Sequence, residues 1–261
     1  MLEIKDLTIQ YGDKSPVVEN FSLSLKKGEI IAIVGESGSG KSTVLSSILG
    51  LLPNGGKIIS GDIIYNGESM LSKSLNQWRE LRGTEITMIS QDSGGTLNPI
   101  RKIGKQFVEY IQTHSKMSVK EAEEKAKDMF SKVNLPDSEI IMKSYPHQLS
   151  GGMKQRVGIA MALTFHPKII LADEPTSALD VITQAQIVKE IMELRKAFDT
   201  SIIMVTHNLG VAAYISDKII VMQNGKIVDA GDKNAIINNS KSEYTKKLLA
   251  AVPEIGGERL V

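Results

Sequence analysis

Hydrophobic and polar positions along the chain fall into strand-like and helix-like stretches, and their order outlines the fold. "LEIKDLTIQ" and "VVENFSLSL" at the amino terminus are read as paired strands, and "KIISGDIIYNGE" as another. "EIIAIV" is a short, apolar, β-branched run, the pattern of a buried strand, and "STVLSSILGLL" after it has helix-like apolar spacing. "KIILADE" and "SIIMVTH" are two further buried strands, with the helix "TQAQIVKEIMELRKAF" between them. "IIVMQNGKIVDAG" predicts a hairpin, with Asn224-Gly225 joining two apolar-rich runs. The middle of the chain differs: from about Lys102 to Phe130, and again from Gly151 to Phe165, the pattern is mostly helical. Ser118 with Glu121 three residues later has the spacing of a capping box. These elements predict an α/β core interrupted by a helical insert at about 92–165.

Composition narrows the class. A chain of 261 residues allows one large domain or two small ones, and 41% hydrophobic residues is enough for a real core. A net charge of +1 gives no electrostatic argument for nucleic acid as a partner. The absence of cysteine excludes a disulfide framework and a cysteine metal site. "MLEIKDLTIQYG" reads as a strand rather than a signal peptide. No apolar run approaches the ~20 residues that a membrane helix needs. The expected location is the cytosol, with attachment to a membrane protein left open.

The candidate chemistry centres on "GESGSGKST", which comprises Gly35, Glu36, Ser37, Gly38, Ser39, Gly40, Lys41, Ser42 and Thr43. It matches G-x-x-x-x-G-K-S between a predicted strand and a predicted helix, the context of a phosphate-binding loop. Glycines let backbone N–H groups converge without Cβ clashes, and the helix start adds partial positive charge. In such a loop Lys41 reaches the β- and γ-phosphates and Ser42 holds Mg²⁺. "KIILADEP" is an apolar strand ending in two acids, whose desolvation a cation would offset. Asp173 is the candidate metal ligand. Glu174, one residue on and off the metal, is the candidate to orient or deprotonate a water. "LSGGMKQR" places Ser150 before Gly151 and Gly152 as the N-cap of a predicted helix, a second anion-binding start. One nucleotide rarely needs two such cradles, and an ordinary capped helix explains Ser150 equally well.

The order of "GESGSGKS", Gln91, "LSGGM", "IILADE", "SALD" and His207 resembles that of the ATP-binding cassette (ABC) ATPases, over residues from about 2 to 235. The resemblance implies a P-loop NTPase (RecA-like) α/β core with an antiparallel β subdomain and a helical subdomain. It implies one ATPase domain over 1–235, with the helical part at about 92–165, and a short tail over 236–261. The family's cassettes meet head to tail, so Ser150, Gly151 and Gly152 would act on ATP held by the other cassette. By the same resemblance Glu174 is the catalytic base, and His207 contacts the γ-phosphate. Gln91 senses Mg²⁺ and the membrane partner, Tyr11 stacks on adenine, and Asp180 ends the segment that crosses the dimer interface. Three positions depart from the common pattern: Met153, Asn208 and Ser90. None of them removes a phosphate or metal contact.

Within the family, a cassette lacking fused membrane helices, a second cassette or a coiled coil is similar to an importer subunit. "GGKIISGDIIYNGESML", "LRGTEITMISQDSGGTLNP", "YPHQLSGGMKQRV" and "YTKKLLAAVP" resemble ATPases of oligopeptide, dipeptide and nickel importers, and more closely the first of their two paralogous cassettes. That resemblance implies ATP and Mg²⁺, two transmembrane permease subunits, and an extracellular substrate-binding protein acting through the complex. It also implies a paralogous ATPase partner, with a homodimer as the alternative, and a peripheral position on the cytoplasmic face of the membrane. Longer relatives carry a cysteine-rich iron–sulfur tail. A chain without cysteine that stops at Val261 is expected to lack it, which tilts the expectation toward nickel or metal chelates over small peptides. The alternative class, a soluble ABC ATPase acting on DNA or ribosomes, is disfavoured by the charge balance and by the L-N-P segment.

Overall fold

A computed structural model of the chain describes residues 1–177, 180–251, 254–255 and 258–259. Two compact units are present, one of Met1–Leu75 with Ser201–Val261 and one of Asn76–Thr200.

The first unit begins with β1 (Leu2–Tyr11), β2 (Val18–Leu25), β3 (Ile30–Val34), α1 (Lys41–Ile48), β4 (Gly56–Tyr65) and β5 (Glu68–Ser69). β1 lies inside an antiparallel sheet of order β2-β1-β4-β5. The strands are kinked where Asp6 takes a φ of 46° and the register of β1 shifts against both neighbours. Asp6 exchanges bonds with Ser22 there: its N–H donates to the Ser22 hydroxyl (2.9 Å), which donates to the Asp6 carboxylate (3.1 Å). Opposite the kink stands Gly61, where a Cβ would lie 2.4 Å from the Lys5 carbonyl oxygen. Only glycine fits so close to the neighbouring backbone. The helix α1 is shorter than the apolar spacing predicts. It ends at Ile48, and Gly50 at φ 61° turns the chain, with its N–H on the Ser47 carbonyl (3.0 Å).

The second unit opens with α2 (Leu75–Leu81, from Asn76 on) and contains β6 (Ile86–Ile89), α3 (Ser93–Thr96), α4 (Ile103–His114), α5 (Val119–Lys132), α6 (Ser138–Lys143), α7 (Gly151–Leu163), β7 (Ile169–Asp173) and α8 (Val181–Phe198). β6 and β7 pair in parallel. Ile103, Phe107 and Ile111 of α4, and Ala122, Ala126 and Phe130 of α5, are buried at four-residue spacing, the stripe by which helices pack. The Phe107 and Phe130 rings meet edge to face at 5.2 Å. α5 starts on a capping box. The Ser118 hydroxyl accepts the Glu121 N–H (3.3 Å), and the Glu121 carboxylate accepts the Ser118 N–H (2.8 Å).

The chain returns to the first unit through β8 (Ser201–Thr206), α9 (Leu209–Ile215), β9 (Lys218–Gln223), β10 (Lys226–Asp232), α10 (Lys233–Asn239) and α11 (Glu243–Ala250). Within that unit the strands run in the order β10-β9-β3-β8, with β3 parallel to both β8 and β9. A strand with parallel neighbours on both sides and covered faces carries an unbroken apolar run, which is why every residue of β3 is buried. Asn224 and Gly225, at φ 50° and 80°, form the β9–β10 turn, as a two-residue hairpin with positive φ at both positions requires. Ile236 of α10 and Leu249 of α11 join Ala32, Val34, Leu209 and Val221 in one buried cluster.

Candidate phosphate loop and associated residues

In the first unit, the segment after β3 is a tight loop whose glycines are set by contact. A Cβ on Gly35 would stand 2.2 Å from the Met222 carbonyl oxygen, and one on Gly40 would stand 2.8 Å from that of Val17. Both glycines also have φ in the left-handed region, at 155° and 98°. α1 opens at Gly40 without a side-chain N-cap, the arrangement in which helix-start N–H groups serve an anion. The Lys41 side chain is buried and curls over the loop. Its ammonium donates to the carbonyls of Gly35 (2.8 Å) and Glu36 (2.7 Å) and to the Ser39 hydroxyl (3.3 Å). The cation is thus held by two backbone carbonyls and one hydroxyl of its own loop. Glu36, Ser37, Gly38 and Ser42 are exposed around it, and Thr43 is half-buried.

Sheet register brings His207 to the same place. Val34 pairs with Thr206, so Gly35 and His207 each lie one residue beyond a matched pair of parallel strands. Ligands of open α/β sheets bind at such carboxyl ends. His207 is exposed, and Asn208 behind it caps α9 by accepting the Val211 N–H (3.2 Å). Asparagine therefore does the capping an aspartate would do there. Tyr11 ends β1 with its ring against Gly56, where a Cβ would lie 2.6 Å from the ring's Cε1. The segment that follows Tyr11 runs to Val17, whose carbonyl closes over Gly40.

In the second unit, the β6–β7 register brings the Gln91 loop and the paired acids to one end of a parallel pair. Ile89 lies opposite Ala172, so Gln91 follows its strand by two residues and Asp173 ends the neighbouring strand. Glu174, just past β7, adopts φ 43°. A non-glycine residue held there carries strain, a feature that clusters at functional positions. The Glu174 carbonyl accepts both the N–H and the hydroxyl of Ser177, at 3.2 Å each, and this closes the turn. Asp92 caps α3 through the Gly95 N–H (2.9 Å). Ser93 is buried where a Cβ on Gly158 of α7 would come within 2.6 Å of its hydroxyl.

Ser150 caps α7 as the sequence predicts, accepting the Met153 N–H (3.3 Å), with Gly151 exposed at the helix start. The start of α7 packs close to α8, since a Cβ on Gly152 would sit 3.0 Å from the Thr183 side chain. An ion pair fixes the two helices. The Arg156 guanidinium donates twice to the Glu190 carboxylate (3.2 and 2.8 Å), and both side chains are largely buried. Asp180 caps α8 through the Thr183 N–H (3.0 Å), whereas Ala178 and Leu179 of the "SALD" segment lie outside the described residues.

Two participants escaped the sequence reading. One is the Arg156–Glu190 pair. The other is Tyr244 of α11, whose hydroxyl accepts the Glu36 N–H at 3.0 Å. No local spacing announces either, because each joins residues far apart in the chain. Among the described residues no three His, Cys, Asp or Glu side chains gather as a metal cluster. The candidate metal ligands Ser42, Gln91 and Asp173 are all oxygen donors, a hard set that suits Mg²⁺, which keeps few protein ligands. No helix among the described residues is long and apolar enough to cross a membrane.

The profile of the family described as "ABC transporter" matches residues 18–177. The chain is 43% identical over 259 residues to the oligopeptide transport ATP-binding protein OppD of Bacillus subtilis (strain 168), covering 98% of this chain and 72% of that protein. It is 40% identical over 262 residues to the dipeptide transport ATP-binding protein DppD of Escherichia coli (strain K12), covering 99% and 80%. Among solved structures, the dimeric post-hydrolysis state of the ATP-binding cassette MJ0796 bound to ADP and Pi superposes with a TM-score of 0.78 at 29% identity, covering 89% of this chain and 99% of that one.

Proposed function

The chain belongs to the ABC transporter family and is one of its ATP-binding ATPases, the proteins that power transport, and from that premise we propose that it drives import of short peptides. Its fold is the family's P-loop α/β core with an antiparallel sheet and helices. The observation that carries the reading of the site is the buried Lys41 ammonium held by its own loop at the end of β3. A preorganised cation surrounded by backbone dipoles stabilises phosphate charge with little reorganisation.

Each residue then has a role. Gly35, Glu36, Ser37, Gly38, Ser39, Gly40, Lys41, Ser42 and Thr43 bind the triphosphate, and Tyr11 stacks on adenine. Ser42, Gln91 and Asp173 would hold Mg²⁺, which supplies charge neutralisation on the phosphate oxygens. Glu174 orients the attacking water and accepts its proton, and His207 hydrogen-bonds the γ-phosphate as charge develops. Ser150, Gly151 and Gly152 cap the ATP of a second cassette, with the Asp180 segment at that interface. We assign the ATPase domain to 1–235, its helical part at about 92–165 to the cytoplasmic surface of the permease, and 236–261 to a C-terminal tail.

The remaining assignments concern assembly. The chain works at the cytoplasmic face of the membrane with two permease subunits, a paralogous cassette and an extracellular binding protein. Peptides are preferred to nickel or metal chelates because the relatives reported above are named for oligopeptide and dipeptide transport. The test is ATP hydrolysis by the reconstituted complex, with the binding protein loaded with either a short peptide or a nickel chelate. Stimulation by the peptide-loaded protein is expected. Stimulation by the chelate alone would move the substrate class to metals, and no hydrolysis under either condition would overturn the importer reading.

A further inference from the structure

The Tyr244 contact involves a part of the chain that no role above uses. α11 is firmly placed within the first unit. The Ser240 hydroxyl donates to the Asp229 carboxylate of β10 (2.5 Å) and accepts the Ser242 N–H (3.2 Å). The Ser242 hydroxyl in turn caps α11 through the Thr245 N–H (3.3 Å). Leu249 inserts into the cluster built on Ala32, Val34 and Leu209, and the Tyr244 ring packs against the same cluster. The ring is therefore tied to the cluster that includes Ala32 and Val34 of β3, and its hydroxyl reaches the Glu36 N–H of the phosphate loop.

The bond it makes there falls on one particular peptide group. Tyr244 accepts the N–H of Glu36 (3.0 Å), while Lys41 donates to the carbonyl of Gly35 (2.8 Å). Those two atoms belong to the same peptide unit, Gly35–Glu36, and lie on its opposite edges because the unit is planar and trans. Tyrosine and lysine thus grip one rigid plate from both sides. A donor on the carbonyl polarises the amide and strengthens the bond its N–H makes, so the two contacts reinforce each other. Gly35 precedes the plate, and a glycine leaves it freer to rotate than any other residue would.

We propose that Tyr244 is a positioning residue for the phosphate loop: by fixing the Gly35–Glu36 peptide it sets where the Lys41 ammonium sits, and so ties nucleotide affinity to the C-terminal helix α11. This rests on the reading of residues 35–43 as an ATP site. The tyrosine touches neither phosphate nor water in this scheme and acts only through the loop.

The test is Tyr244→Phe, which removes one oxygen and keeps the ring on its cluster. The full chain is used, with ATP as the probe. The Kd and KM for ATP are expected to rise about 3–10-fold, the scale of one lost hydrogen bond, while kcat at saturating ATP stays within about twofold. A structural role alone would lower the melting temperature without this split. Amide exchange at Glu36, measured without nucleotide, is expected to speed up in Tyr244→Phe and to stay unchanged at Glu121 of the second unit. Unchanged ATP affinity and unchanged exchange at Glu36 in the variant, with a wild-type chain that binds ATP, would overturn the proposal. A wild-type chain that fails to bind ATP would instead overturn the reading of the loop.

Discussion

Glu174, proposed above to orient the attacking water, has an unusual backbone. Its φ of 43° and the two bonds from Ser177 to its carbonyl hold the backbone just past β7 in a conformation that an unconstrained chain would avoid. Glu174→Gln keeps shape and volume and removes the basic oxygen. ATP binding is expected to survive while turnover falls ~10²-fold or more, the usual scale for a lost general base. Fluorescent-nucleotide titration and steady-state phosphate release measure the two quantities separately, and normal turnover would remove Glu174 from the role. At this scale the candidates legible in the sequence are those whose proposed chemistry demands a fixed spacing. The loop at 35–43, Asp173 and Glu174 stand out by composition alone. Tyr244 does not, because its partner lies 208 positions away and nothing in either neighbourhood encodes the pairing.

Elements were legible to the extent that their cause is local. The capping box of α5 needs only Ser118 and Glu121, three residues apart, and both of its hydrogen bonds form. The Asn224-Gly225 hairpin and the unbroken apolar run of β3 have equally local causes. The kink in β1 was not legible, since it arises where the backbone at Gly61 crosses Lys5 and Asp6 from another strand. The early end of α1 at Ile48 is similar. "STVLSSILGLL" keeps helical spacing beyond it, but Gly50 in the left-handed region stops the helix. The capping box also makes a prediction. Ser118→Ala removes the acceptor for the Glu121 N–H, and Tm is expected to fall by about 2–4 °C, as for a lost cap in a chain of this size. ATPase activity below the transition should be unaltered. The bonds from Ser118 hold the Glu121 carboxyl below its ordinary range. Its share of stability is therefore present above the unfolded pKa and lost as pH falls through the lower folded value. Ser118→Ala keeps the bond from the N–H of residue 118, the larger cause, and loses only the hydroxyl's bond to the Glu121 carboxylate (2.7 Å). Its difference from wild type should therefore narrow in acid by the hydroxyl's part alone, and a constant difference from neutral pH to well below the ordinary glutamate range would exclude that part.

For the whole molecule the question is what a single cassette can do alone. Ser150 is already committed within its own chain, capping α7 through Met153, and α7 is locked to α8 by Arg156 and Glu190. The "SGG" start is thus a rigid surface set before any partner arrives. Lys41 is likewise held by Gly35 and Glu36 of its own loop. In the trans arrangement proposed above, Ser150 contributes to hydrolysis only when a second cassette presents its nucleotide. Ser150→Arg puts a long cation at the helix start, where it is sterically and electrostatically unwelcome. In a chain verified as monomeric by sedimentation, ATP affinity is expected to stay within about twofold of wild type, since the phosphate loop is untouched. In the assembled complex the same substitution should bring receptor-stimulated hydrolysis down to the level of the isolated chain, because the partner's ATP loses its cap while this chain's loop stays intact. Replacing Lys41 with Ala should do the reverse and weaken ATP binding in the monomer itself. If Ser150→Arg weakened ATP binding in the monomer as Lys41→Ala does, Ser150 would be acting on the nucleotide of its own chain, and the head-to-tail arrangement would be wrong for this protein.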